Sequence, residues 1–437
     1  MQQVARIRNW LSQHWELVRG VRLSSFLALG LLIPLLFIGP ALSQPVTLSF
    51  LMVAPETPML RPLLQEFEQQ NPDIRVNMVE GPTDSNLIED LNTTAFLLGG
   101  SPYDLVYLDV AWVPKFAAAG WLLDLSDRLS ERELAAFMAG DVAGGQYKGG
   151  LYRIPWRTDA GMLYYRKDWL TQAGVQPPET FADLTQMAQT LQGQQQVPWG
   201  YVWQGRQYEG LSAMFVEVLA GSGGFWVNPQ TKAVGLDRPE AIAALKFLLS
   251  TLQDGISPPG TTTYREEDTR RLFQSGKAAF MRNWPYAWSL MNADDSPVKG
   301  KFGIQPMVHA PQQQSAACLG GWGWGIARNS QHPDAAWRLI QFLTSETVQR
   351  RYSLDAGYLP TRRSLYRDPQ LLAKYPYLPQ IETVLQRAAL RPPIAQYAQA
   401  SDILQRYLSA ALSGRVVPEA ALQAAAKETR QLLGVNG

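Results

Sequence analysis

Residues 46–53 read VTLSFLMV, residues 74–79 read IRVNMV and residues 105–109 read LVYLD. Each segment is apolar or alternates apolar with polar residues, which is the pattern of a β-strand. The two segments between them predict helices, with apolar stripes at Leu60, Leu63, Leu64 and Phe67, and at Leu87, Leu91, Ala95 and Leu98. The order strand–helix–strand–helix–strand predicts an α/β fold with a parallel sheet.

Two polar positions follow the predicted strands directly. Asp109 ends the third strand, and Ala54–Thr57 follow the first. Ligands of α/β sheets bind beyond the carboxyl ends of strands, so both positions are candidates for a binding site. Farther along, helical patterns occur near 181–192, 240–253, 266–275 and 334–349, and from 369 to 434.

The composition excludes several classes of function. The 437 residues carry a net charge of +1, which argues against a nucleic-acid-binding protein. With a single cysteine, the chain cannot form an internal disulfide. This cysteine and three histidines are few ligands for a metal site, so we expect no metal and no cofactor. Fourteen tryptophans are available as core residues or as flat walls of a ligand pocket.

Residues 1–43 have the pattern of an export signal. Four arginines and one glutamate give this segment a charge of +3, which leaves −2 for the rest of the chain. Leu23–Ile38 is apolar but shorter than the roughly 20 residues of a membrane-spanning helix. Ala41-Leu42-Ser43 offers small residues for signal peptidase. We expect a cleaved signal peptide and a periplasmic protein, with an uncleaved membrane anchor as the alternative.

Six segments occur along the chain in this order: Tyr103–Asp109, Phe116–Leu125, Ile154–Asp168, Phe273–Trp288, Leu319–Ile326 and Gly357–Tyr366. Together and in this order they resemble the family 1 extracellular solute-binding proteins of ABC importers, and within that family the group that binds trehalose, maltose, sucrose and glucosylglycerol.

The resemblance implies a two-lobed periplasmic-binding-protein fold of class II, like that of maltose-binding protein, with a cleft and three hinge crossings. By analogy the crossings lie near 158–160, 305–308 and 356–360. Lobe 1 then comprises 45–157 and 308–356, and lobe 2 comprises 160–305 and 360–437. The implied protein is a monomer that binds a sugar or polyol in the cleft and delivers it to ABC permease subunits and their ATPase.

The resemblance also suggests a set of residues that contact the ligand. Carboxylates, arginines and backbone groups would bind hydroxyls, and aromatic rings would cover C–H faces. The set is Glu56, Thr57, Asp84, Asp109, Arg157, Asp159, Trp284, Tyr286, Trp322, Gly323 and Arg362.

Most of these residues also have a purely structural interpretation. Asp84 and Asp109 are both suitable helix N-caps, and Glu56 and Thr57 could form a simple turn. The remaining structural alternatives are a hinge salt bridge for Arg157 and Asp159, core packing for Trp284 and an exposed position for Arg362. Trp324, two residues beyond Trp322, is expected to be buried on the opposite face of its strand.

Two other functions are open from the sequence. A glycoside hydrolase needs two carboxylates about 5 to 9.5 Å apart, and Asp109 with Asp159 could supply them across a cleft. Against it, no G-x-S-x-G, H-E-x-x-H or G-x-x-x-x-G-K-[ST] motif is present. A sensor that presents its closed form to a receptor would have the same sequence features as a transport protein.

Overall fold

The computed structural model describes residues 44–99, 101–194 and 197–435. The expectations for the N-terminal segment 1–43 lie outside these residues. In the described ranges the strands are β1 (Val46–Val53), β2 (Ile74–Gly81), β3 (Leu105–Asp109), β4 (Gln146–Tyr147), β5 (Gly150–Leu151), β6 (Ile154–Ala160), β7 (Met162–Arg166), β8 (Trp199–Val202), β9 (Ala278–Asn283), β10 (Phe302–Gln305), β11 (Leu319–Ile326) and β12 (Leu359–Pro360).

The helices of the same residues are α1 (Thr57–Gln70), α2 (Ser85–Leu97), α3 (Val113–Ala118), α4 (Glu131–Leu134), α5 (Ala139–Ala143), α6 (Lys167–Ala173), α7 (Phe181–Gln194), α8 (Glu209–Gly221), α9 (Pro239–Gln253), α10 (Glu266–Gln274), α11 (Ala287–Met291), α12 (Pro333–Leu343), α13 (Glu346–Ala356), α14 (Pro369–Lys374), α15 (Leu378–Gln386), α16 (Tyr397–Leu412) and α17 (Pro418–Leu433). None of them is long and apolar enough to cross a membrane.

Two larger sheets organise the chain. The first has the order β12-β6-β11-β3, and the parallel pair β1-β2 joins it where the Asp104 amide donates to the Ser49 carbonyl at 2.8 Å. The second has the order β10-β7-β9-β8. The parallel arrangement predicted for the first three strands is confirmed for β1 and β2, and the sheet as a whole is mixed because β3 pairs with the antiparallel β11.

The chain passes between the two sheets at Gly161, between β6 and β7. A Cβ atom at this position would lie 1.6 Å from Glu217 Oε1, so only glycine fits. The chain returns between the end of β10 at Gln305 and the start of β11 at Leu319. The lobe boundaries expected from the resemblance stay a prediction.

The observed helices correct two expectations and add one long buried helix that was not predicted. The stripe of Leu87, Leu91 and Leu98 is exposed, because α2 buries its opposite face through Ile88 and Phe96. The single helix expected near 334–349 is two helices, α12 and α13, and the second begins after its own N-cap, Ser345. Helix α8 was not predicted, because it is buried on nearly every side and lacks an amphipathic period.

Candidate functional site

Glu56 is the centre of a buried hydrogen-bonded group at the end of β1. It closes the 3₁₀ turn Ala54–Glu56 and is 1% exposed. Its carboxylate accepts hydrogen bonds from Tyr107 Oη at 2.8 Å, Tyr352 Oη at 2.7 Å and Arg157 Nη2 at 2.8 Å. Three donors therefore satisfy the hydrogen-bonding capacity of this buried side chain.

Arg157, on β6, connects Glu56 to Asp159. Its Nη1 forms an ion pair with Asp159 Oδ2, and its guanidinium lies over the Tyr358 ring at 4.4 Å and near the Trp322 ring at 5.7 Å. The other Asp159 oxygen, Oδ1, is buried and has no hydrogen-bond partner among the described residues. Burial raises the pKa of Asp159 to about 6, although the positive charge of Arg157 opposes the shift.

Asp109 occupies the carboxyl end of β3, as predicted from the sequence. Its Oδ1 accepts from the Ala111 amide at 2.9 Å and from Arg391 Nη2 at 2.7 Å. Arg391 reaches Glu209 Oε1 through Nη1 at 2.8 Å, so it joins the end of a first-sheet strand to the start of α8. Asp109 contacts the turn before α3, but the N-cap of that helix is Trp112.

Trp322 lies opposite Asp109 in the β11–β3 pairing and is 7% exposed. Its ring stacks on Tyr107 at a centroid distance of 4.7 Å and meets Trp112 edge to face at 4.9 Å. Trp324 is fully buried, as expected, but it also contacts Tyr107, at 4.8 Å. The expectation that the two indoles lie on opposite faces is therefore wrong, because residues two apart in a strand share a face.

Trp284 comes to this region from the second sheet, directly after β9. An added Cβ atom at Gly320, on β11, would lie 3.1 Å from Asp159 Cβ and 3.3 Å from the Trp284 ring. The fold therefore places this indole against the Asp159 side of the first sheet. Trp284 Nε1 donates to Glu266 Oε1 at 3.4 Å, and Arg282 lies over the ring at 3.9 Å.

Tyr286 follows in the same loop and approaches the turn before β12. Its hydroxyl donates to Glu267 Oε1 at 2.9 Å, and its ring centroid is 6.2 Å from that of Tyr358. Tyr358 also stacks on Tyr352 at 5.6 Å. Tyr358 thus lies between the guanidinium of Arg157, on the first sheet, and Tyr286, which follows β9 of the second.

We call this group of residues the central cluster. Seven of its members were predicted as ligand contacts: Glu56, Asp109, Arg157, Asp159, Trp284, Tyr286 and Trp322. Five were found only in the structure: Tyr107, Glu266, Tyr352, Tyr358 and Arg391.

Four predicted contacts have partners outside the cluster. Thr57 Oγ1 donates to Glu80 Oε2 at 2.7 Å, and Asp84 caps α2 and pairs with Arg265. Gly323 packs against the neighbouring strand β6, since an added Cβ atom would lie 2.3 Å from the Ile154 carbonyl oxygen. Arg362 donates to the Thr344 carbonyl oxygen at 2.8 Å and covers the ring of Phe137.

Most of the residues that were missed have no recognisable pattern around them in the sequence. Arg391 lies in an irregular segment just after Ala389, which hydrogen-bonds to Ala317 and to Leu319, the first residue of β11. Only that tertiary contact brings Arg391 to Asp109. Tyr358, in contrast, lies inside the family segment Gly357–Tyr366, so it could have been included.

Chemically, the central cluster suits a neutral polyhydroxy ligand. Carboxylates accept hydrogen bonds from hydroxyls, arginines donate them, and flat rings cover C–H faces. No group of three or more His, Cys, Asp or Glu side chains that could hold a metal occurs among the described residues.

Comparison with known proteins agrees with this architecture. A family model described as bacterial extracellular solute-binding protein matches residues 54–350. A probable ABC transporter-binding protein of Deinococcus radiodurans is 32% identical over 356 residues, which are 80% of this chain and 84% of that protein. The mannitol-binding protein of Pseudomonas aeruginosa is 26% identical over 389 residues, which are 84% of this chain and 88% of its own.

Solved structures are similar as well. The structure titled maltose-bound T. maritima MalE3 superposes with a TM-score of 0.84 at 40% identity, and the match covers 89% of this chain and 100% of that one. The expected maltose-binding-protein-like fold is therefore confirmed.

The chain belongs to the bacterial extracellular solute-binding protein family. Members of this family are exported and are not enzymes, which confirms two expectations and removes support from the hydrolase. The narrower group suggested by the sequence, the roles of individual residues, and the periplasmic location stay predictions.

Proposed function

We propose that this protein is the substrate-binding component of an ABC importer for a sugar or polyol. Relatives named for maltose and mannitol support this ligand class, and the Deinococcus protein supports the ABC transporter context. In this proposal a disaccharide or a glucosylglycerol-like solute binds between two lobes in the periplasm. The loaded monomer then delivers it to permease subunits, whose ATPase drives transport.

The observation that carries the proposal is the position of Asp159 Oδ1, which has no hydrogen-bond partner in the described part of the chain. This buried oxygen lies in a group with Trp284, which comes from the second sheet, and Arg157, which comes from the first. Buried polar atoms normally have a partner, so an acceptor left open beside an indole fits a hydroxyl group of a sugar.

Arg157, the arginine on β6, bears on the size of the ligand. Arg157 occupies the space between Trp322 and Tyr358, and its charge is already balanced by Glu56 and Asp159. A bulky charged side chain at this place favours a small ligand over a long oligosaccharide. We therefore expect trehalose, sucrose, maltose, glucosylglycerol or mannitol to bind better than longer maltodextrins.

The test is calorimetric titration of the purified protein with these five compounds and with maltotriose and maltohexaose. We expect one-to-one binding of at least one small solute, unchanged ligand after recovery, and weaker binding of the two oligosaccharides. Cleavage of the ligand, or no binding of any sugar or polyol, would contradict the proposal. Preference for maltohexaose would contradict the size argument alone.

A further inference from the structure

An ion pair joins the two sheets at a place outside the central cluster. Asp84 lies between β2 and α2 of the first-sheet region, and Arg265 directly precedes α10, which packs on β9 of the second sheet. Arg265 Nη2 lies 2.5 Å from Asp84 Oδ2. The Asp84 side chain is 13% exposed and that of Arg265 is 31% exposed, so water screens the pair only partly.

The other oxygen of the same carboxylate has a separate role. Asp84 Oδ1 accepts the Asn86 amide at 3.0 Å and so caps α2. The bridge and the cap therefore use different atoms, and a substitution can remove one and keep the other. This separation distinguishes a contact between lobes from a purely local helix cap.

A second contact lies on the same turn of α2. The backbone amide of Glu209 donates to Asn86 Oδ1 at 3.4 Å, and Glu209 begins α8. Helix α8 is in turn anchored to the second sheet, because Glu217 forms a buried ion pair with Arg282 of β9. The first turn of α2 thus contacts two separate elements of the second-sheet region.

We propose that the Asp84–Arg265 pair is a latch that stabilises the closed arrangement of the two lobes without contacting the ligand. The proposal rests on the proposed function, in which the ligand binds between lobes that open and close. A contact that exists only when the lobes are together raises the closed population, and the apparent affinity rises in proportion. Asp84 and Arg265 are then positioning residues, and their effect is on ligand release.

The decisive variant is Asp84→Asn. Asparagine caps helices as well as aspartate does, so α2 keeps its cap while the charge of the bridge is lost. We expect about a 2- to 5-fold increase in Kd for the best ligand, mainly through faster dissociation, with an unchanged melting temperature. Arg265→Gln should have the same effect, and the double variant should be no weaker than either single variant.

A matched control is available in the first-sheet region alone. Asp73 and Arg338 form an ion pair at 2.8 Å between the turn before β2 and helix α12. Asp73→Asn removes a comparable charge but no contact between sheets, so Kd should not change. Salt should weaken ligand binding more steeply in the wild-type protein than in Asp84→Asn.

The latch can also be tested on the sugar-free protein, so the test does not depend on whether the protein binds a sugar. Small-angle X-ray scattering of the sugar-free protein should give a larger radius of gyration for Asp84→Asn and Arg265→Gln than for the wild type and Asp73→Asn. Equal radii and equal Kd values would overturn the latch but leave sugar binding intact. A loss of affinity in Asp84→Asn but not in Arg265→Gln would instead make Asp84 a ligand contact, as the sequence suggested.

Discussion

Two buried arginines, Arg157 and Arg282, have similar partners but different surroundings. Arg282 is 0% exposed, and its ion pair with Glu217, which is also 0% exposed, is completed by Gln204 at 3.1 Å. Arg157 is 7% exposed and pairs with Asp159, which keeps one oxygen without a partner among the described residues. A saturated pair holds elements together, whereas an unsaturated pair can still accept a ligand.

The position of each arginine agrees with this difference. Arg282 connects β9 with α8 next to the first passage between the sheets, where Glu217 closely approaches Gly161. Arg157 lies among the rings of Trp322 and Tyr358 in the central cluster. Loss of the Arg282 ion-pair partner Glu217 should therefore change stability, and substitutions of residues around Asp159 should change ligand binding.

The largest effect is expected for Glu217→Gln. The substitution leaves the guanidinium of Arg282 buried without its charge partner, which costs about 3–5 kcal/mol of unfolding free energy. Urea denaturation followed by circular dichroism measures the loss. The control is Glu66→Gln, which breaks a half-exposed pair with Arg351 and should cost less than about 1 kcal/mol. Similar losses for both variants would remove the distinction between the two kinds of pair.

Trp284→Ala should produce the next largest effect, on affinity. An aromatic contact with a ligand is worth about 2–3 kcal/mol, which corresponds to roughly 30- to 150-fold in Kd. The matched control is Trp169→Ala, because Trp169 is also half-buried beside an arginine, at 3.7 Å from Arg166, but lies outside the central cluster. Calorimetry should show weak binding for the first variant and normal binding for the second. Equal Kd values for both would place the ligand away from Trp284.

The smallest effect concerns pH. If the ionised Asp159 accepts a ligand hydroxyl, protonation below its pKa of about 6 removes that acceptor. Affinity should thus be constant from pH 8 to 7 and fall by about tenfold by pH 5. Titrations of the wild type and Asp159→Asn across this range test the assignment. The variant should bind weakly and without this pH dependence; a wild-type profile in Asp159→Asn would assign the titration to another group.

The raised pKa of Asp159 also makes the stability of the fold depend on pH. The folded-state pKa of Asp159 is above the ordinary value of 3.8, so the native state holds this proton over a wider pH range than the unfolded chain does. This group therefore stabilises the fold most at low pH, and its contribution decreases as pH rises from about 4 to 6. Ligand binding and stability should respond to this one carboxyl in opposite directions.

Much of the fold could be predicted from local pattern. The apolar periodicity identified β1, α1 and β2, and the position of Asp109 at the end of β3 followed from the same run. The apolar pattern did not predict helix α8 or the buried face of α2. Helix α8 is buried nearly all round, and the leucines of α2 face outward although their spacing resembles a core stripe.

Only part of the central cluster could be predicted from the sequence, because some of its residues are brought together by tertiary contacts alone. Trp284 and Asp159 lie in segments that resemble a known family, so their proximity could be expected. Arg391 has no such segment, and its approach to Asp109 depends on packing between Ala389 and the start of β11. Pairing between residues so distant in sequence is decided by tertiary contacts, which a single sequence does not reveal.

A crystal structure of the protein with its tightest sugar or polyol would show directly whether the central cluster binds the ligand. We expect one ligand with a hydroxyl within hydrogen-bond distance of Asp159 Oδ1 and a C–H face on the Trp284 ring. The Asp84–Arg265 pair should be intact and free of ligand contacts. A ligand bound elsewhere, without contacts to Asp159 and Trp284, would rule out the central cluster as the binding site.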